Sequence, residues 1–234
     1  MKVNVDAPAK INLFLDIRGK RSDGYHIVSM VMQSISLCDE ITASRTDDGD
    51  IKIVCSDENI PLDETNTVYK AVELFFKETE KENKGIEIKI KKNIPTEAGL
   101  GGGSTDAAAV LHALNKLYDT ELSRKELAEI GAEIGADVPF CVYGGTMSAS
   151  GIGTILSPLP DLPECYLVIV KPNIGVCTKL IKSRRVAVIP GTAFGDCGEG
   201  YIRVSYSYSL GHIMEALNRI EMFINNPDAP AMDS

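Results

Sequence analysis

The chain has no tryptophan, and only 6% of its residues are aromatic. A platform of exposed rings on which nucleic-acid bases stack is therefore disfavoured. No apolar run approaches the roughly 20 residues that span a bilayer as a helix. Residues 1–6 carry a charge every few positions and no apolar stretch with a cleavage site, so no signal peptide is expected. Positive charge is also scarce: 24 Lys and Arg against 33 Asp and Glu give a net charge of −9 and a pI near 4.9. Such a chain is a poor generic partner for nucleic acid or an anionic membrane, and it can hold an anion only through local donors and metal. The six cysteines, Cys38, Cys55, Cys141, Cys165, Cys177 and Cys197, form no CxxC pair. They read as reduced thiols of a cytoplasmic protein rather than as disulfides or a structural zinc site. What is present, 44% hydrophobic and 24% charged residues over 234 positions, suits a soluble globular chain of one large or two small domains.

The first third reads as strands: 3–6, 11–17, 28–37, 40–44 and 51–55 are β-rich runs separated by turn residues, with a loop at 19–24. Val68, Val72, Leu74, Phe75 and Phe76 predict a helix over 67–81. Ile86, Ile88 and Ile90 alternate with charged residues and predict a half-buried strand over 85–91. Val110, Leu111, Leu114, Leu117 and Tyr118 share one face of a helix over 104–118. Ser123 and Glu126 form a capping-box signature for a further helix ending at Gly135. Strands are expected at 139–142, 146–150, 154–156, 166–170, 186–189 and 201–206, then a helix over 209–224 and a frayed tail at 225–234. Without regular βαβ alternation, the pattern predicts an α+β layered fold rather than a doubly wound parallel sheet.

The strongest local signal is Pro95-Thr96-Glu97-Ala98-Gly99-Leu100-Gly101-Gly102-Gly103-Ser104-Thr105-Asp106. Its glycines remove the Cβ atoms that would keep a ligand from the backbone. The run opens directly into a helix, whose first N–H groups have no partners within the helix and favour an anion, most often phosphate. A Walker A loop would need a lysine after Gly103, and the Rossmann fingerprint would need a glycine at Ser104, so both are disfavoured. The alternative is a flexible loop capped by Ser104 or Thr105.

These twelve residues resemble the ATP-binding loop of the GHMP kinases (galactokinase, homoserine kinase, mevalonate kinase and relatives). Three further stretches agree in the family's order and spacing. They are Ala7-Pro8-Ala9-Lys10-Ile11-Asn12-Leu13, Arg21-Ser22-Asp23-Gly24-Tyr25-His26 and Gly135-Ala136-Asp137-Val138-Pro139-Phe140. They resemble most closely the members that phosphorylate the 2-hydroxyl of a cytidine-diphosphate sugar alcohol on the non-mevalonate route to isoprenoid precursors. The resemblance implies a GHMP-kinase N-terminal domain of the ribosomal protein S5 domain 2-like type, with ATP and Mg²⁺ as cofactors. By the same resemblance Asp137 accepts or orients the substrate hydroxyl proton, and Lys10 beside it offsets charge on the transferring group. Pro95, Ala98, Gly99, Leu100, Gly101, Gly102, Gly103, Ser104 and Thr105 line the ATP site, with no metal-ligating residue assigned. Asn12, Tyr25, His26 and Thr178 contact the small-molecule cytidine-diphosphate substrate, the Tyr-His pair holding the cytosine ring. Neither a nucleic acid nor a membrane is an expected partner, and oligomeric state is not implied.

The likeness runs from Met1 to about Leu180. Glu97 replaces a small residue common in the loop, Met147 to Ser150 departs from the usual turn, and the aromatic that would follow Thr178 is absent. Nothing after Leu180 resembles the family's C-terminal domain, so that domain is expected to be truncated or replaced. Residues 181–224 resemble instead the C-terminal end of class I/II pyridoxal-phosphate aminotransferases, with Arg203 at the position of their carboxylate-binding arginine. The lysine that forms their Schiff base has no counterpart here, so transamination is not expected. The expected organisation is an ATP-binding domain at 1–160, the start of a second kinase domain at 161–180, an aminotransferase-like segment at 181–224 and a disordered tail at 225–234. A nucleotide-binding remnant without turnover is the alternative function.

Overall fold

Two long strands, β1 (Lys2–Lys20) and β2 (His26–Arg45), pair antiparallel along their length and form the spine of the sheet. This computed structural model describes residues 2–20, 26–96, 98–151 and 153–163, and beyond them only scattered positions between 165 and 225. The chain divides into two compact units, Met1–Thr96 with Leu100–Pro163, and Glu97–Gly99 with Glu164–Ser234.

In the first unit six strands run in the order β3–β4–β2–β5–β6, with β1 also paired to β2. Here β3 is Ile51–Cys55, β4 Ile86–Lys91, β5 Thr146–Gly151 and β6 Ile155–Pro158. β3 and β4 are parallel, which requires a crossover, and α1 (Thr67–Thr79) supplies it. Asn66 caps α1 by accepting the Val68 N–H at 2.8 Å. α2 (Gly102–Tyr118), α3 (Arg124–Ile134) and α4 (Val138–Tyr143) complete the unit. The alternating isoleucines of β4 face Phe75 of α1 and Leu111, Leu114 and Leu117 of α2 in one core, where all but Ile90 are wholly buried. The predicted capping box at Ser123 and Glu126 is formed. Among the described residues no helix is long and apolar enough to cross a membrane.

Three local expectations are corrected. Residues 3–6 and 11–17 are one strand, as are 28–37 and 40–44. Proline at position 8 does not break β1, because a register shift between Pro8 and Lys10 absorbs it as a bulge. Residues 139–142 are helix α4 rather than strand. The apolar run Val138-Pro139-Phe140-Cys141-Val142-Tyr143 carries no period that separates the two, and Pro139 sits in the first turn, where its missing N–H costs nothing. α2 begins at Gly102, two residues before the expected start, with no side-chain cap from Ser104 or Thr105.

The sheet has one irregularity that matters for function. On a single edge of β2, β4 covers residues 40–45 and β5 covers 28–33. Between them, Asp39 receives the N–H groups of Asn93 at 2.5 Å and Ile94 at 2.8 Å, and the Cys38 carbonyl receives the Asn93 amide at 2.8 Å. The segment leading to the glycine loop enters there.

In the second unit, β7 (Ile189–Pro190) pairs antiparallel with β8 (Ile202–Arg203), and Arg219 Nε donates to Glu215 at 2.6 Å on a helical stretch. Most of the strand expected at 166–170, and the bulk of the aminotransferase-like segment, lie outside the described residues.

Core packing and local capping should separate cleanly in urea unfolding. Leu114→Ala is expected to cost about 3 kcal/mol through loss of buried area and a residual cavity. Ser123→Ala should cost about 1 kcal/mol through loss of the cap.

Candidate active site

The glycine loop is tied to β1 at both ends. Lys10 N–H donates to the Leu100 carbonyl at 2.8 Å, and Thr105 Oγ1 donates to the Pro8 carbonyl at 2.8 Å. These two bonds flank the register shift between Pro8 and Lys10, where one residue of β1 stands against three of β2, and set α2 against it. Gly101, the residue before α2, has φ +72°, and a Cβ there would lie 2.8 Å from Lys10 Cγ. Glycine is required at this position both for its backbone and for the space it leaves. Thr67 Oγ1 donates to the Gly103 carbonyl at 2.8 Å, fixing the first turn of α2 from the side of α1. α2 therefore starts without a side-chain cap, its first N–H groups directed along the helix axis, an arrangement suited to phosphate.

Asp137 occupies the cap position of α4, yet its carboxylate makes no capping bond. Instead Asp137 Oδ2 lies 2.9 Å from Lys10 Nζ, where the Lys10 side chain is 7% exposed and that of Asp137 30%. The ammonium is thus enclosed while one side of the carboxylate remains open to solvent. One turn along α4, burial pushes the Cys141 thiol up to about 12, the negative charge of Asp137 adding to the effect. Cys141 stays protonated and is no nucleophile.

A second charged cluster lies behind the loop, and the sequence reading missed it. Lys92, just past β4, is ion-paired with Asp39 of β2 and lies 2.7 Å from Asp106 Oδ2 in α2. All three side chains are at least 94% buried: their exposures are 6% for Lys92, 0% for Asp39 and 4% for Asp106. Asp39 is satisfied on both oxygens, whereas Asp106 Oδ1 is buried without a partner. Burial first, opposed by Lys92 and reinforced by Asp39, raises Asp106 to about 7. One signal in the sequence could have exposed the cluster: Asp106 is an acid on a helix otherwise filled with Ala107, Ala108, Val110 and Leu111.

Of the residues singled out from sequence, the fold brings together Lys10, Leu100, Gly101, Thr105 and Asp137. Thr105 is buried and gives its hydroxyl proton to Pro8, so it holds the loop in place. Gly102, Gly103 and Ser104 form the first turn of α2. Asn12 is two residues from Lys10 in unbroken register and so shares its face of β1. Pro95 is exposed where the loop begins, while Ala98 and Gly99 group with the second unit. His26 opens β2 opposite Lys20; its side chain, Tyr25 and Thr178 lie outside the described residues.

The profile of the GHMP kinases N terminal domain matches residues 66–145, which include the loop, α2 and Asp137. A 4-diphosphocytidyl-2-C-methyl-D-erythritol kinase of Clostridium tetani (strain Massachusetts / E88) is 53% identical over 177 residues, covering 76% of this chain and 62% of that protein. One from Geobacillus sp. (strain WCH70) is 46% identical over 219 residues, covering 92% of this chain and 75% of that protein, so its alignment extends past Leu180. A crystal structure of 4-(cytidine 5'-diphospho)-2C-methyl-D-erythritol kinase superposes with a TM-score of 0.57 at 36% identity, over 67% of this chain and 55% of that one. The chain belongs to the GHMP kinase family. Within that family the relatives described here are 4-diphosphocytidyl-2-C-methyl-D-erythritol kinases, and the chain spans about three fifths of the length of the Clostridium tetani protein.

Two predictions follow from the geometry. Gly101→Ala combines left-handed strain with a clash against Lys10 and should cost about 2–3 kcal/mol in urea unfolding. Gly49→Ala, at φ +80° with nothing within 4 Å, carries the strain alone and should cost about 1 kcal/mol. The second prediction concerns pH. Asp106 titrates near 3.8 when unfolded and near 7 when folded. Between those values the folded protein holds a proton that the unfolded chain has released. This group's contribution is therefore greatest at the acid end of that window, and stability falls as pH rises through it. Thermal melts from pH 5 to 8 should show a smaller decline for Asp106→Asn than for the parent chain.

Proposed function

We propose that this chain carries the ATP-binding and phosphoryl-transfer centre of a kinase acting on the 2-hydroxyl of 4-diphosphocytidyl-2-C-methyl-D-erythritol. The observation that carries the reading is the Lys10–Asp137 pair at 2.9 Å, held against the glycine that opens α2. In phosphoryl transfer a protein contributes positioning and charge stabilisation more than covalent chemistry. The N–H groups at the start of α2 would hold the phosphates of ATP. The open side of the Asp137 carboxylate would face the attacking hydroxyl and take or orient its proton. The Lys10 ammonium would offset negative charge growing on the transferring group. Asn12, beside Lys10 on β1, is assigned to the substrate, and Tyr25, His26 and Thr178 keep the roles their resemblance gives them. The donors at the α2 N-terminus are backbone N–H groups and hydroxyls rather than paired carboxylates. That set fits Mg²⁺ carried on the nucleotide phosphates, where it neutralises their charge. A cytoplasmic location accords with this chemistry.

The alternative reading is a unit that binds ATP without turning over substrate. ADP release with Mg-ATP, with and without 4-diphosphocytidyl-2-C-methyl-D-erythritol, separates the two. The first reading expects substrate-dependent release that falls by about 10²–10⁴-fold in Asp137→Ala. ATP binding by folded protein with no release at any substrate concentration would instead establish the second.

A further inference from the structure

The Asp39–Lys92–Asp106 cluster has no part in the chemistry just described, yet it is the most deeply buried group of charges among the described residues. Its members come from three places: β2, the residue following β4, and α2. They meet where the two partners of β2 diverge. Lys92 Nζ also lies against the first residue of α2, since a Cβ at Gly102 would be 3.2 Å from it. The cluster therefore touches the helix end that the functional reading gives to phosphate. With both carboxylates ionised it carries one uncompensated negative charge in a site without water access, and the orphaned Asp106 Oδ1 marks where that charge sits.

We propose that Asp39, Lys92 and Asp106 are positioning residues for the nucleotide site, fixing the start of α2 through Lys92 and drawing solvent protons onto Asp106 when a polyphosphate binds there. The proposal rests on the reading of α2 as the phosphate site. Asp39 accepts two backbone N–H groups as well as Lys92, whereas Asp106 keeps one buried oxygen without a partner, so the proton goes to Asp106. Other titratable groups near the cluster include Cys38 beside Asp39, Cys55 on β3 and Cys141 on α4, with the Lys10–Asp137 ion pair on the far side of Cys141. Burial raises all three cysteines, and they remain neutral thiols. Asp106 changes charge near neutrality, within reach of the field of a bound phosphate. A protonated Asp106 leaves the cluster neutral, whereas an ionised one sets a negative charge behind the helix end and weakens its attraction for an anion.

Calorimetric titration of the full chain with Mg-ATP, at pH 7.5 in two buffers of different ionisation enthalpy, reads the proton directly. The parent chain is expected to take up a fraction of a proton per ATP bound and to lose about tenfold in affinity between pH 6.5 and 8.5. Asp106→Asn should bind with no net uptake and with an affinity flat across that range. Lys92→Met should weaken binding, and adding Asp106→Asn should restore part of the loss, because the second change removes the charge that the first leaves uncompensated. Should Lys92→Met fail to fold, the Asp106→Asn comparison decides alone. Binding by the parent chain without proton uptake, or uptake that persists in Asp106→Asn, overturns this proposal and leaves the functional reading intact. Absence of Mg-ATP binding by folded parent chain overturns both.

Discussion

The contact on which the rest of the site depends is the one between Lys10 and Asp137. An ammonium enclosed to 7% exposure needs a negative partner, and the partner must come from outside its own strand. α4 supplies it by ending the turn before it on an aspartate that declines the usual capping role. The geometry of that pair then constrains everything near it. Lys10 must arrive at one depth, which the register shift after Pro8 sets. The loop that passes over it must lack a Cβ at Gly101. α2 must start without a side-chain cap, because its first turn lies over the strand that carries the lysine. A small error at any of these points displaces an ion whose alternative is costly desolvation.

The long β2 strand makes this arrangement possible. A single strand edge shared by two partners, β4 and β5, leaves an interval in which backbone groups are available to a loop rather than to a ladder. Asp39 stands in that interval and binds the backbone of Asn93 and Ile94, so the approach to the glycine loop is held by a buried carboxylate rather than by sheet pairing. On the opposite edge of β2, β1 brings Lys10 to Ser34, within the same interval. The divergence of two strands thus sets both the entry of the loop and the level of the lysine.

Much of this was legible in the sequence. The isoleucine alternation of β4, the capping box at Ser123 and the apolar stripe of α2 each follow from a local period or a cap. The glycine run pointed to a loop opening directly into a helix, and α2 starts at Gly102. The motif around Asp137 marks a candidate acid, but the six apolar residues that follow carry no period that separates helix from strand. The buried triad was not legible. Lys92 follows two other lysines on an exposed-looking stretch, and Asp39 adjoins Glu40 as if at a turn. Their burial arises only when β2, the end of β4 and α2 converge, over sequence separations of 53 and 14 residues.

The two charge clusters differ in burial, and that difference separates their work. Asp137 keeps nearly a third of its side chain exposed, so its carboxylate can meet a substrate and exchange a proton with it. Asp39 and Asp106 meet only protein, and they can influence a ligand solely through position and field. A group that must react needs access, and its energetics are softened by water. A group that must hold a backbone in place works best without water, and it then becomes sensitive to any charge brought nearby. The glycine loop lies between the two kinds. One side of it rests on Lys10 and the other on Lys92, so a phosphate bound at the start of α2 would lie within the field of both lysines. Only the first of them is paired with an acid that is open to solvent. The second has an acid whose proton can respond to the phosphate itself.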